Sequence, residues 1–470
     1  MRKKIISIFV GYQSFENHYA SDFFETPENI DMLVWHNVKS DALEKLPKNI
    51  QTQQLPTFDY KGKTDFLRYL KAKSTLRHND KTQAIKNHLL YRVSPGKSNF
   101  KKQLRFGFIS FLSRFYASKK GIQKLEDAFF KQTRTSSYYK ECLAYLIANT
   151  PDLLYCSHQV SSFSLAPVLA ARDLGIPVVS FIYSWDNLPK GNKMLKADHY
   201  FVWSDYMKEE MSVYYPDEVK KDNIIVTGTP QFACYTKPEY LISKELFHNA
   251  YNLPLDKKLL CFSGNFTSIG MDDPSYLKDL AEAVQTYNQA NTAQYHVVLR
   301  ANPSDYNQGF LPILEEYKDV ITEVIPTWNH EQFPLPESYT VNSNLGVLYS
   351  TLYYCEAIFN IGSTMALDAI LLGKPAFYCC YKQENGHKDF DIERLYQFVH
   401  FKTFKAHPKA VYRIQSQNEL EQLIGQFDVK QKSNIAQRLH WAESLTKHPL
   451  NEVALRMHTA FQQILNNTCI

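Results

Sequence analysis

Short apolar runs broken by Gly, Pro, Ser and Asn recur along the chain at the spacing of alternating strands and helices. Residues 5–10 and 31–35 predict two buried strands, with Gly11-Tyr-Gln-Ser14 as the turn after the first. They read as short strands of a parallel sheet. After Lys140 the alternation is regular. Residues 141–149 predict a helix, 152–156 a strand ending at Ser157-His158, 164–174 a helix closed by Gly175, and 177–181 another strand. Strands at 198–203 and 223–227 follow, with a helix at 205–213 between them. The pattern stops around Gly228-Thr-Pro230 and resumes near Asp256, which places a domain boundary at 234–241.

The second half repeats the grammar. A strand at 258–263 runs into Gly264-Asn-Phe-Thr267, a helix spans 274–288, and a strand at 295–300 ends in Arg300-Ala-Asn-Pro303. After a further strand at 319–325, Glu356-Ala-Ile-Phe-Asn360 predicts a short buried strand, Gly362-Ser-Thr364 a turn, and 365–372 a helix. Gly373 closes that helix, Pro375 blocks its continuation, and 376–381 predict the next strand. From Asn418 the chain is helical to its end, with a break at Pro449. The expected domains are 1–235, 236–440, and a C-terminal helix at 441–470. No repeat of 20 to 50 residues is evident.

The candidate chemistry lies at the strand ends. A strand, a Gly-Ser-Thr turn and a helix start form an anion site, because backbone N–H groups and the helix dipole converge there. Ser363 and Thr364 occupy that turn; the same residues also cap a helix without any ligand. Asp368, one helical turn beyond Thr364, offers a carboxylate suited to the two hydroxyls of a ribose. Gly264 and Asn265 allow close backbone approach to a diphosphate, and Arg300 can pair bidentately with phosphate oxygens. Together these groups would stabilise charge on a departing nucleoside diphosphate, so no metal and no cofactor is demanded. Trp328 could stack on a base or pack in the core. In the first half, His158 ends a strand, and Asp186 and Asn187 leave one for a loop, where polar groups do little packing. Either His158 or Asp186 could take a proton from an acceptor hydroxyl, with His158 favoured by its intrinsic pKa. Asp186 and Asn187 could equally build an Asx turn.

With 470 residues the chain exceeds the ~250–300 that one core organises, so two domains are expected. Its 44% apolar and 21% charged residues are ordinary for a globular protein, whereas 14% aromatic, with 31 Tyr and 30 Phe, is high. No apolar run reaches the ~18–20 residues of a membrane span. The start, Met1 to Val10, is too short in its apolar part for a signal peptide and fits the first strand better. The eight cysteines (Cys142, Cys156, Cys234, Cys261, Cys355, Cys379, Cys380 and Cys469) form no Cys-x-x-Cys, which fits a reducing cytosol without structural zinc.

Charge is segregated. Residues 61–140 hold twenty Lys/Arg against four Asp/Glu, a net of +16; the whole chain is +5, so the remaining 390 residues carry −11. Within that block, residues 100–116 interleave aromatic and basic side chains. On a helix, Leu104, Phe108, Phe111, Leu112 and Phe115 share one face, with Lys101, Lys102, Arg105 and Arg114 at its margins. Such a segment lies well in the interface of an anionic membrane; the alternative is a domain helix whose apolar face is core. No nucleic-acid-binding motif accompanies the charge.

The stretch from Gly362 through Asp368 to Gly373-Lys-Pro375 resembles the donor-binding signature of GT-B glycosyltransferases, including the lipid-linked peptidoglycan N-acetylglucosaminyltransferase and the plant-type UDP-sugar transferases. Those mostly carry Glu where this chain has Asp368. Arg300-Ala-Asn-Pro303 is similar to the Arg-Pro-His-Pro of bacterial wall-polymer transferases such as the CDP-glycerol glycerophosphotransferases, with Asn302 in place of His. Ser180 to Leu188, followed by Lys190-Gly191, resembles a strand–loop signature of bacterial surface-carbohydrate transferases. The resemblance spans about 150–380. It implies an α/β fold of two Rossmann-like domains whose parallel sheets face a cleft, with the last helix crossing back to the first domain. It also implies a metal-independent glycosyltransferase taking a nucleotide-sugar co-substrate, with donor contacts at Gly264, Asn265, Arg300, Asn302, Ser363, Thr364 and Asp368. The acceptor implied is a surface-polysaccharide or lipid-linked glycan, at the inner membrane face. The competing expectations are a CDP-polyol phosphotransferase of the same fold and an inactive membrane- or glycan-binding scaffold. A nucleotide-sugar epimerase fits less well, having no use for a membrane-facing block.

Overall fold

The structure, a computed structural model, describes residues 2–467 apart from 39, 59–61, 84–99, 192, 268, 303–304, 326–342, 389 and 428–432. Trp328 and Cys469 lie outside the described residues, as does part of the basic block. The chain divides into two compact units, Met1–Ala233 with Ser444–Ile470, and Cys234–Glu443.

The first unit is built on seven parallel strands: β1 (Lys3–Phe9), β2 (Ile30–His36), β3 (Gln51–Gln54), β4 (Leu153–Cys156), β5 (Val178–Phe181), β6 (His199–Val202) and β7 (Ile224–Val226). Their spatial order is β3-β2-β1-β4-β5-β6-β7. The second unit holds β8 (Lys258–Ser263), β9 (Tyr295–Arg300), β10 (Ile321–Glu323), β11 (Cys355–Asn360), β12 (Ala376–Cys379) and β13 (Tyr412–Ile414), ordered β10-β9-β8-β11-β12-β13. Each sheet thus starts in its middle, winds outward one way for three strands, and then reverses. That is the doubly wound Rossmann order, and the reversal defines a switch point beside the first strand of each unit, where ligands of open α/β sheets bind. The strands are parallel throughout, and the central ones are buried on both faces, as their apolar runs require.

Several elements depart from expectation. A helix (Tyr12–Ala20) begins where a turn was expected, directly after Gly11, whose φ of +94° suits glycine. The edge strand β3 reads Gln-Thr-Gln-Gln and is exposed at every residue, so no apolar pattern announces it. The helix Ser343–Tyr354 was also unforeseen.

The aromatic richness is largely core. Phe9, Phe15, Phe23 and Phe24 cluster in the first unit, and the last helix (Val453–Asn467) joins them: Phe461 lies 5.3 Å from both Tyr155 and Phe201. His458 Nε2 lies 2.9 Å from the Phe23 carbonyl. The seven described cysteines are free, and six are buried.

Between β3 and β4 the basic block folds into helices Lys63–Gln83, Phe100–Leu112, Lys119–Thr133 and Ser137–Asn149. Part of its charge is internal. Buried Lys71 meets Glu126 at 2.5 Å, and Lys196, from beyond the block, meets the other oxygen at 2.6 Å. Burial pushes the Glu126 carboxyl up, but the surrounding lysines outweigh it and hold the group down at about 2. The helix Phe100–Leu112 turns Ile109 inward, whereas Phe100, Leu104, Phe108, Phe111 and the following Phe115 are 52–72% exposed. Most of its apolar face is therefore surface, not core.

Candidate functional site

In the second unit three neighbouring strands end in polar residues. Arg300 closes β9 and is in register with Ser263, which closes β8. Asn360 closes β11, one residue after Phe359, whose partner is Phe262, so it ends level with Ser263. Residues in register across a sheet share a face, so Arg300, Ser263 and Asn360 form a row at the β8/β11 switch point. The turn and short helix after β11 close over that row. Ser263 Oγ lies 3.0 Å from Met365 Sδ and 3.5 Å from Ser363 Oγ.

Arg300 is 7% exposed, and its Nη1 has no hydrogen-bond partner among the described residues. Burial draws its pKa down, while the nearby Asp368, Tyr235, Tyr251 and Cys261 push it up. A buried guanidinium left short of partners is costly, by several kcal/mol in order of magnitude. Asp368 is itself buried. Tyr235 donates to its Oδ1 at 2.7 Å, and burial pushes its carboxyl up to about 6 against the opposing effects of Tyr235 and Arg300. The acid expected to face a ribose is thus an interior group beside Arg300.

The backbone cradle expected from the glycines is already occupied. The Gly264 N–H donates to the Arg300 carbonyl at 3.0 Å, and the Asn265 N–H to buried Asp273 at 2.6 Å. A Cβ at Gly264 would lie 3.2 Å from the Phe310 ring. At the second turn, Asn360 Oδ1 accepts from the N–H groups of Gly362 at 2.7 Å and Ser363 at 2.8 Å. Thr364 precedes the helix Met365–Leu371, whose seven residues supply only a small dipole, and makes no side-chain cap. Asn302 is half-buried just past β9, and its carbonyl accepts from the Asp305 N–H at 3.4 Å. What remains to meet an anion is side-chain chemistry: Arg300, Asn360 and the serine hydroxyls. Asn360, Ser263, Tyr235 and Asp273 were missed in the sequence. The Asn-Ile-Gly-Ser run is the signature of an Asx turn, which could have found Asn360.

In the first unit His158 follows β4 and stacks on Tyr183, ring centroids 3.9 Å apart. Its Nδ1 is buried without a partner among the described residues, and burial pushes its pKa down to about 4. The ring is therefore neutral at pH 7. Asp186 is engaged locally: it pairs with Lys190 and accepts from Ser184 Oγ at 2.9 Å and Asn187 Nδ2 at 3.3 Å. Asn187 Oδ1 in turn accepts from the Ser184 N–H at 3.1 Å and from Gln159 Nε2 at 3.0 Å. The loop is an internally bonded structure, and Asp186 is part of what holds it.

No protein-family model matches the chain, and no curated protein matches it. Solved structures do, over nearly their whole length. The structure of S. aureus MnaA with UDP aligns at a TM-score of 0.54 and 11% identity, over 99% of this chain and 97% of that one. A UDP-GlcNAc 2-epimerase from Methanocaldococcus jannaschii gives 0.52 and 10%, over 97% and 99%. A glycosyltransferase from Rickettsia africae gives 0.52 and 10%, over 99% of each. The fold is GT-B-like. At about a tenth identity the likeness is one of fold, shared here by transferases and epimerases alike.

Proposed function

We propose that this GT-B-like protein is a metal-independent glycosyltransferase. It would move a sugar from a nucleotide-sugar donor, held at the strand ends of the second unit, to a surface-polysaccharide or lipid-linked acceptor bound by the first. The observation that carries this reading is Arg300: a buried cation, short of partners, one strand from a Rossmann switch point. There it meets the diphosphate and stabilises the charge that grows as the glycosidic bond breaks. His158 takes the acceptor hydroxyl proton; it is neutral at pH 7, the form a general base needs. The likeness to MnaA with UDP and to a UDP-GlcNAc 2-epimerase supports a nucleotide-sugar partner for this chain.

The exposed row of Phe100, Leu104, Phe108, Phe111 and Phe115 on a basic helix supports attachment to an anionic membrane surface. No helix among the described residues is long and apolar enough to cross a membrane, so the attachment proposed is peripheral. A lipid-linked acceptor suits that placement, and an epimerase has no need of it.

A thermal-shift screen of the full chain against UDP, GDP, CDP and CMP, followed by incubation with the corresponding sugar or polyol donors, tests the reading. Stabilisation by a nucleoside diphosphate and acceptor-dependent release of it support transfer. Release of CMP from a CDP-polyol identifies a phosphotransferase, acceptor-independent conversion of the sugar identifies an epimerase, and no response to any nucleotide leaves a scaffold.

A further inference from the structure

Asn360 has two chemically distinct ends, and only one is used. It is fully buried as the last residue of β11, on the second-unit side of the switch point. Both partners of its carbonyl end, the Gly362 and Ser363 N–H groups, are donors, so the amide orientation is fixed by chemistry. The NH2 end must therefore be Nδ2, and that atom has no hydrogen-bond partner among the described residues. A buried amide with its donors unmet costs about 1–3 kcal/mol. Two strands away in the same row stands the other unmet donor, Arg300 Nη1. Between them is Ser263, whose hydroxyl approaches Ser363 in the turn that Asn360 holds.

One ligand chemistry answers both groups. A polyoxyanion as long as a diphosphate offers enough lone pairs to accept from a guanidinium and from an amide on strand ends that flank β8, whereas a ribose hydroxyl or a base edge has no need of the cation. We propose that Asn360 is a second phosphate-binding residue, shaping the Gly362-Ser363 turn with its carbonyl and donating Nδ2 to the same diphosphate that Arg300 holds. This rests on the nucleotide-sugar reading and adds a residue to it. It also explains the choice of Asn over Asp at this position. Aspartate would hold the turn equally well but would present an oxygen to the phosphate.

Asn360→Asp is thus the informative change. It keeps an acceptor for both turn amides and removes the donor. On the full chain, isothermal titration with UDP and with uridine is expected to show a roughly 10- to 100-fold loss of UDP affinity and unchanged uridine affinity, with Tm preserved. Equal UDP affinity in the variant and the parent chain overturns the assignment and leaves Asn360 a turn-former. A parallel loss of uridine affinity overturns it too, since the damage would then be general. Should the aspartate variant not fold, Asn360→Ser, whose hydroxyl still accepts from the turn, takes its place under the same readout. If the unmodified chain binds no nucleoside diphosphate, the failure lies with the proposed function, not with Asn360.

Discussion

The two units wind their first six strands in the same order, yet their strand ends are finished differently. At the first unit's switch point several polar groups satisfy one another, while the neighbouring His158 Nδ1 is left over. Ser14 Oγ donates to Ser157 Oγ at 2.9 Å, and His18 is held between the Ser14 carbonyl and the Tyr155 hydroxyl, each at 2.7 Å. Asp186 is bound into its loop by Lys190 and two neighbours. At the second unit's switch point the acceptors are used and the donors are left over, on Arg300 and Asn360. The same architecture therefore leaves a ring nitrogen unmet on one side and two hydrogen-bond donors on the other. Strand order tells where a site can be; the unmet hydrogen bonds tell which ligand is wanted.

The sharpest way to break this contrast is at Arg300. Arg300→Met should abolish stabilisation by UDP, a loss of at least about 100-fold in affinity. Because it removes a buried charge with an unmet donor, it should also raise the ligand-free Tm by a few degrees. A variant that loses both stability and binding would instead mark Arg300 as a structural residue. Next in size is His158→Ala. UDP affinity should be unchanged while turnover falls roughly 100- to 10,000-fold. Asp186→Asn should lower Tm by disturbing the Lys190 pairing while leaving most turnover intact, the reverse pattern. Full activity in His158→Ala would return the base to some other group.

A third test uses pH. Burial holds His18 down at about 3, against about 6.5 in an unfolded chain. Between those values the unfolded state binds a proton that the folded state refuses, so the first unit loses stability as pH falls below about 6.5. Burial pushes Asp273 the other way, up to about 7 from 3.8, with Asp368 at about 6. There the folded state keeps a proton the unfolded state has given up, so the second unit loses stability as pH rises from about 4 through 7. Calorimetry at pH 5 and pH 7.5, with the transitions assigned by limited proteolysis, should show the second unit less stable at pH 7.5 and the first, where buried Glu210 is pushed well above its ordinary value and opposes His18, shifting less. An equal shift in both would mean that other groups dominate. The smallest effect concerns the surface. Replacing Phe108 and Phe111 together by Ser should leave Tm within about 1 °C and reduce sedimentation with phosphatidylserine vesicles at low salt, since each ring contributes modestly to interfacial binding. Unaltered sedimentation would place the contact elsewhere.

Much of this was legible before the structure. Apolar runs located most of the strands, and a basic residue at the end of the 295–300 strand located Arg300. What escaped had no apolar signature: β3 is four polar residues on a sheet edge, and the helix after Gly11 lacks a capping side chain. The site was misread in one physical respect. Glycine-rich turns suggested free amides, but nearby side chains occupy them. Asp273 accepts from the Asn265 N–H, a bond that no spacing rule announces, whereas the bonds of Asn360 to Gly362 and Ser363 are those of the Asx turn that Asn-Ile-Gly-Ser encodes. Asp368 was placed near the right residues but expected to face a ribose, because burial of a lone acid is decided by tertiary packing against Tyr235.

The most direct test is a crystal structure of the full chain with UDP bound. The account predicts the diphosphate at the ends of β8, β9 and β11, with its oxygens within about 3 Å of Arg300 Nη1 and Asn360 Nδ2. Nucleotide bound at the strand ends of the first unit, or Arg300 still unpartnered in the presence of bound UDP, would contradict it.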